Sequence, residues 1–545
     1  MTSRRRWPAL ALALAPLGTQ SSDPRTSAAD DGSGWRWAEL DLDVFVESDL
    51  ESAHLVGAGR LVLEAPSSSG PLLELAGSLL EFEHVAASGA VLELGAYMDG
   101  EHEIATARLR FQELRPRGSE VRVDFECQSI GTEDQFAVTD RAAVASWVEA
   151  WYPAPAGDAP ATKLRAAPGL TRFHLPNGWG SVSNGERLDD AEPGVETWRV
   201  SSAVARSFAC APYTAIERDV GGRKVAIHRL SNAGDGAEVE LGAVASILVE
   251  LEARFGPYPY PSYRVAELPL GVGDFLGSSE QGFIMVRPVA FDAPDGNLAL
   301  FAHELAHGWW GNLIDSTGPG SMLLSEGLAQ FSAVVAIGAL EGEAAAADFL
   351  RFSRPGYVSE QCGRGYFQLW RAGRDQPLGL IEAGGDAHFL ADSKGHWMFQ
   401  MLREKVGDER FFAVLRAVVE DFAETPLTLP ELRARFERAA PQAELGRFFA
   451  QWLDRTGAPI LETDWTPDGP RARVTLRQVQ PGEPYDLPLE IAVDSAAGRR
   501  IHAVELRASE AVFVLEGDGP PTGVELDPRH RLLIWTEEYG PRPTD

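Results

Sequence analysis

The sequence predicts a multidomain α+β protein: an N-terminal β-sandwich-like domain, a mostly helical middle and a small C-terminal β-sandwich. Three observations predict it. A chain of 545 residues exceeds what one hydrophobic core fills. Apolar and polar residues alternate at the two ends of the chain, which is strand patterning. Between them, apolar residues recur at helical spacing.

Each element follows in order. Arg4, Arg5 and Arg6 precede an apolar run from Pro8 to Gly18, too short to span a bilayer and suited to a signal peptide. Residues 1–34 are therefore expected to be a leader and polar linker, and the mature protein to be exported, periplasmic or secreted. In "ELDLDVFVE", Leu40, Leu42, Val44 and Val46 share one face and Glu39, Asp41 and Asp43 the other. In "VRVDFEC", Val121, Val123, Phe125 and Cys127 do the same, which makes Cys127 a buried thiol. Residues 35–215 are assigned to this β domain.

Helical patterning starts with "EVELGAVASILVELEARFG", which Gly256 and Pro257 end. It recurs through Arg455, and Thr428 with Glu431 has the spacing of a capping box. Residues 216–457 are assigned to the helical domain. Alternation returns in "YDLPLEIAV", and "AVFVLEG" and "RLLIWTEE" look like further strands, so 458–545 is expected to be the small β-sandwich.

Composition excludes some functions. A formal net charge of −31 repels phosphate backbones and anionic lipid heads, so nucleic acid is not an expected partner. No integral membrane segment is expected. The chain's 3 cysteines lack metal-site spacing, so His and Glu would have to hold any metal.

The chemistry concentrates in "HELAHGWWGNLIDSTGPGSMLLSEGLAQF", His303 to Phe331. Leu298, Phe301, Ala302, Leu305 and Trp309 recur at helical spacing, with Gly311 as the stop. Residues four apart point the same way on a helix, so His303 and His307 aim at one point. Glu304, beside the first, reaches a metal-bound water without being a ligand. This is the HExxH arrangement for zinc. A catalytic zinc needs a third protein ligand, and Glu326 lies near the start of a second predicted helix. The turn between allows the helices to run antiparallel. Gln330, one turn after Glu326, is placed to orient a histidine.

HExxH, eighteen residues and a glutamate resemble the signature of the M1 family of zinc aminopeptidases, which are gluzincins. "WYPAPAGDAPATK", "PNGWGSVSNG", "FGPYPYPSYRVAELP" and "FFAQWLDRTGAPIL" extend the resemblance over roughly Trp35 to Leu461. It implies a thermolysin-like catalytic domain, one Zn2+ per chain and peptide substrates with a free N-terminus. "GSSEQ", Gly277 to Gln281, stands where the family has Gly-x-Met-Glu-Asn. Glu280 then matches the carboxylate that takes the substrate's ammonium, with Gly277 and Gln281 flanking it. Ser279 replaces methionine there and Gln281 replaces asparagine. The family's further substrate-recognising glutamine or glutamate has no clear match, and Glu149 in "WVEAWYP" is the candidate for it.

One position departs more seriously. "ADSKGHWMFQ" resembles the family's Tyr-x-Lys-Gly segment, but Asp392 stands where the tyrosine would donate to the developing oxyanion. His388, one turn earlier, and Asp392 itself, if protonated, are the candidate donors, with His396 and Tyr366 behind them. Three activities stay open: a zinc aminopeptidase with Glu304 as general base, a catalytically impaired relative that binds peptide N-termini, and a zinc endopeptidase.

Overall fold

The computed structural model describes residues 34–47, 52–63, 72–77, 79–99, 102–129, 135–149, 151–155, 167–189, 192–201, 204–230, 237–272, 277–293, 297–354 and 361–543. The expected leader lies outside the described residues. A β-rich region comes first, then a helical region, then a second β region, in a multidomain α+β chain. The chain divides into two compact units, Met1–Ala245 with Pro259–Gly296 and Ser246–Tyr258 with Asn297–Asp545.

The first unit is built on sheets. Trp35–Glu47 lies inside a seven-stranded sheet, antiparallel to Ser52–Leu63 and parallel to Gly169–His174. Its predicted inner face, Leu40, Leu42, Val44 and Val46, is buried, as is that of Glu120–Ser129. The three cysteines are free and buried. Arg206 is buried among these strands and donates to the carbonyls of Leu40 and Ala167. Burial lowers its guanidinium pKa to about 10.

A five-stranded mixed sheet closes the first unit. Its order is Tyr213–Val220, Arg223–Leu230, Ser262–Glu267, Phe283–Val286 and Gly277–Glu280. The segment carrying Glu280 is thus an edge strand, antiparallel to Phe283–Val286.

The second unit holds the helices of the site. After α1 (Ala237–Phe255) come α2 (Leu298–Ala306) and α3 (Leu328–Glu341). Leu323–Glu341 is long and apolar enough by composition to cross a membrane, but 72% of that window is buried inside the protein. It is a core helix, and it carries Glu326. The predicted capping box forms further on. The Thr428 hydroxyl accepts from the Glu431 N–H, and the Glu431 side chain accepts in return from the Thr428 N–H.

The last region has two three-stranded sheets. One is Leu461–Asp468, Arg471–Gln478 and Glu510–Glu516, and the other Gly498–Leu506, Leu487–Ser495 and Pro521–Leu526. Residues 531–538, expected as a strand, are irregular and end in a short 3-10 turn at Glu537–Tyr539. Asp527 is the cause. Its carboxylate accepts the backbone N–H groups of Arg531 and Leu532, and Asp527 and His530 both take positive φ. Side-chain capture of amides competes with strand pairing.

Candidate metal centre

His303 lies in the last turn of α2. His307 is the residue after it, still helical at φ −58° and ψ −19°, so both rings stay on one side. The spacing predicts a helix as far as Gly311, but the helix stops at Ala306. The freed carbonyls of Ala306 and His307 accept from Trp310 and Asn312. Gly311 makes the exit possible, at a φ of +101° that residues with a Cβ rarely adopt. Behind the turn, Phe255 packs edge-on against Trp309 and Trp310, at 5.8 and 5.3 Å between ring centres.

Glu326 sits in a π-turn, Leu323–Gly327, where the pattern predicts an ordinary α-helix. Asp392 sits in a second π-turn, Ala391–Gly395, preceded by the single turn Ala387–Leu390 that carries His388. The extra residue in such a turn re-aims its side chains, and these two bring Glu326, His388 and Asp392 together.

The donor atoms converge. His303 Nε2 and His307 Nε2 are 3.1 Å apart, and Glu326 Oε2 is 3.4 Å from each. Two ligands standing about 2.1 Å from a shared tetrahedral ion lie about 3.4 Å from one another, so the triangle has the dimensions of a metal's ligand set. The Nδ1 atoms fit as well. His303 Nδ1 faces Gln330 Oε1 at 2.9 Å and His307 Nδ1 faces the Trp310 carbonyl at 2.9 Å. Both partners are acceptors, which puts the ring proton on Nδ1 and leaves each Nε2 lone pair aimed at the common point. Gln330 is held in that sense because its Nε2 donates to the Gln361 carbonyl at 3.1 Å.

Charge favours a cation there. Burial works against protonating His303, but Glu326, Asp392 and Glu304 outweigh it and raise its pKa to about 10. Burial likewise opposes a charge on His388, and Asp392 and Glu326 raise it to about 9. Burial alone would raise Glu326, yet His307, His388 and His303 hold it well below the usual carboxylate range. Three carboxylates therefore compete for positive charge around the imidazoles, and a metal ion would displace the protons. Glu304, 8% exposed, is pushed up by burial, so it is poised nearer to neutrality than a surface glutamate.

His388 connects the two π-turns. Its Nδ1 is 3.6 Å from Glu326 Oε2 and its Nε2 is 3.0 Å from Asp392 Oδ2. Two other candidate donors, Tyr366 and His396, each have a polar atom bonded elsewhere. Tyr366 donates to Asp375, and His396 Nδ1 bonds the backbone carbonyl of Asp392. Gln361, which sequence reasoning missed, donates to Asp392 Oδ2. No spacing links it to the motif, and only the fold brings it there.

Glu280 belongs to the first unit and is 1% exposed. Its Oε1 accepts from the hydroxyls of Ser146 and Ser278, at 2.8 and 2.9 Å. Its Oε2 accepts from the Ser207 hydroxyl at 2.6 Å and the Trp147 N–H at 3.5 Å. Gly277 opens the same strand. Gln281 is buried, with its side-chain oxygen accepting from Ala205 and its carbonyl from Asn184. Glu149 accepts from the Gln135 N–H.

Comparison with known proteins agrees with this geometry. Residues 290–452 match the peptidase family M1 domain. Aminopeptidase RNPEPL1 of Homo sapiens is 26% identical over 263 residues, 45% of this chain and 35% of that protein. Aminopeptidase B of Mus musculus is 25% identical over 366 residues, 62% of this chain and 52% of that protein. Endoplasmic reticulum aminopeptidase 1 of Homo sapiens is 29% identical over 140 residues, 24% of this chain and 14% of that protein. The chain thus spans about half or less of the length of these relatives. Residues 290–452, which hold both histidines, Glu326 and Asp392, are thus similar to the peptidase family M1 domain.

Proposed function

We propose that the protein is a zinc-dependent aminopeptidase that hydrolyses the N-terminal residue from peptides. The convergence of His303 Nε2, His307 Nε2 and Glu326 Oε2 carries this reading. The names of its relatives support peptides as the substrate class. Two imidazoles and one carboxylate, with both Nδ1 atoms anchored, suit zinc and leave a fourth position for water or substrate. Zinc supplies Lewis acidity and a lowered pKa for water. Glu304 takes the proton of the attacking water on its carboxylate and returns it to the leaving amine. Its raised pKa suits both halves of that exchange. Gln330 and the Trp310 carbonyl keep the imidazoles oriented. His388 is the nearest group with a proton to offer a developing oxyanion beside Glu326, because Asp392 brings only acceptor oxygens when ionised.

Glu280 is proposed, from its place in "GSSEQ", as the carboxylate that takes the substrate's ammonium. A specific observation favours a second reading, an endopeptidase. Four donors already occupy the Glu280 carboxylate, so an ammonium would have to displace one. The arginine and apolar run at the start of the chain supports export, which size analysis of the secreted or periplasmic fraction would test.

The deciding experiment is a panel of aminoacyl amides beside N-blocked peptides, with zinc counted in the same preparation. Cleavage of free-amine substrates alone, reduced on the order of a hundredfold or more in Glu304→Gln, is the expected result. Cleavage of blocked peptides would establish the endopeptidase, and bound zinc without turnover would leave a peptide-binding relative.

A further inference from the structure

Glu326 belongs to two ligand sets. One is His303, His307 and Glu326, and the other is Glu326, His388 and Asp392, each offering one donor atom per residue within 4.8 Å of the others. The second set has features that a packing role does not explain. Asp392 is 0% exposed, belongs to a π-turn, and its Oδ1 has no hydrogen-bond partner among the described residues. The side-chain oxygen of Gln361, whose amide contacts Asp392 Oδ2, is likewise buried and without a partner among them. Buried oxygens left unpaired are costly, and these two are acceptors in one cluster. His388 Nε2 lies 3.0 Å from Asp392 Oδ2, close to the edge of a metal's coordination tetrahedron. Imidazole, two carboxylates and an amide oxygen form a donor set for a divalent transition ion.

We propose that His388, Asp392 and the Gln361 side-chain oxygen hold a second divalent cation, with Glu326 bridging it to the ion of His303 and His307. This rests on the reading that the first set binds zinc. The bridge follows from geometry. Glu326 Oε2 is 3.4 Å from Nε2 of both histidines of the first set and 3.6 Å from His388 Nδ1, and the donor atoms of the second set lie within 4.8 Å of one another. Carboxylate-bridged ions stand about 3.5–4 Å apart, a span that one glutamate covers. The Gln361 amide must turn over to present its oxygen, which also removes its close N–H contact with Asp392. The proposal gives the Asp392 carboxylate a chemical purpose. Where the family resemblance places a tyrosine that donates to negative charge, a cation held by aspartate supplies positive charge instead.

The test is metal counting on the full chain. The protein is stripped with a chelator, reloaded with zinc sulfate and dialysed, and zinc is measured per chain. Two zinc ions are expected for the unaltered protein and one for Asp392→Asn and for His388→Gln. His388 is partly exposed, so its variant keeps the test alive if the buried aspartate variant fails to fold. Loading with cobalt(II) gives a second readout: spin coupling in the unaltered protein, absent in both variants. One zinc ion in the unaltered protein, unchanged in both variants but lost in His303→Gln, overturns the second site and leaves the first standing. No bound zinc at all in the unaltered protein overturns both.

Discussion

Gly395 packs directly on Gly327. A Cβ added at Gly395 would lie 3.7 Å from the Gly327 Cα and 2.6 Å from Leu323 Cδ1. Glycine at this crossing lets the two π-turns approach until Glu326, His388 and Asp392 share one space. Gly395→Ala is therefore expected to destabilise by about 1–3 kcal/mol through overpacking and to weaken metal binding with it. Trimming the obstruction in a Leu323→Val, Gly395→Ala double variant should recover part of both losses, because residues in contact couple. Thermal melts with and without zinc give the measurement, and an unaltered melt for Gly395→Ala would remove the crossing from the account.

Gln330 acts on the metal through His303. Replacing it with alanine takes the acceptor from His303 Nδ1 and the donor from the Gln361 carbonyl. Zinc affinity is expected to fall about 10–100-fold, measured by competition with a chromophoric chelator. Gln330→Glu keeps an acceptor for the ring and should retain most of the affinity. Equal losses in both variants would mean that packing, and not the orientation of His303, is what Gln330 provides.

How far this centre is legible in the sequence follows from the range of each signal. His303, Glu304 and His307 fall within one helical turn, so local periodicity places them. Glu326 is within reach because the intervening turn leaves few ways for two apolar helices to pack. The π-turns leave no trace, since the composition of "LLSEG" and "ADSKG" is ordinary for a helix and their shape depends on the crossing of Gly327 with Gly395. Gln361 is invisible for the same reason. The strands are legible where one face is buried and the other wet, as in Trp35–Glu47. Residues 531–538 mislead because Leu532, Leu533 and Ile534 are all buried in an irregular segment that Asp527 organises.

The first unit carries its own pH sensitivity. His228, in the strand Arg223–Leu230, has its pKa pushed down to about 3 by burial, aided by the charges of Arg264 and Arg187, and its ring packs edge-on against Tyr213. The folded state holds it neutral while the unfolded chain protonates it near the ordinary value of about 6.5. Its contribution is thus complete above about pH 6.5 and is lost as pH falls toward 3. On the order of 2 kcal/mol is at stake, discounted because the ring is only partly shielded from water. Urea midpoints measured at pH 7 and pH 4.5 should therefore fall less in His228→Gln than in the unaltered protein. Parallel falls in the two would assign the acid sensitivity to carboxylates instead.

Glu280 separates the two peptidase readings. Glu280→Ala leaves the hydroxyls of Ser146, Ser207 and Ser278 without their acceptor, and buried donors so orphaned cost about 1–3 kcal/mol each. The alanine variant is therefore expected to lower the melting temperature whatever the substrate, and activity loss in it alone decides nothing. Glu280→Gln keeps the shape and one acceptor oxygen, and the serine hydroxyls can rotate to meet the new amide. If Glu280 takes the ammonium, the glutamine variant should keep its melting temperature within a few degrees and lose catalytic efficiency on free-amine substrates about tenfold or more, mostly in KM. Hydrolysis of N-blocked peptides should be untouched. Equal kcat/KM for the glutamine variant and the unaltered protein on free-amine substrates would confine Glu280 to holding its strand in place.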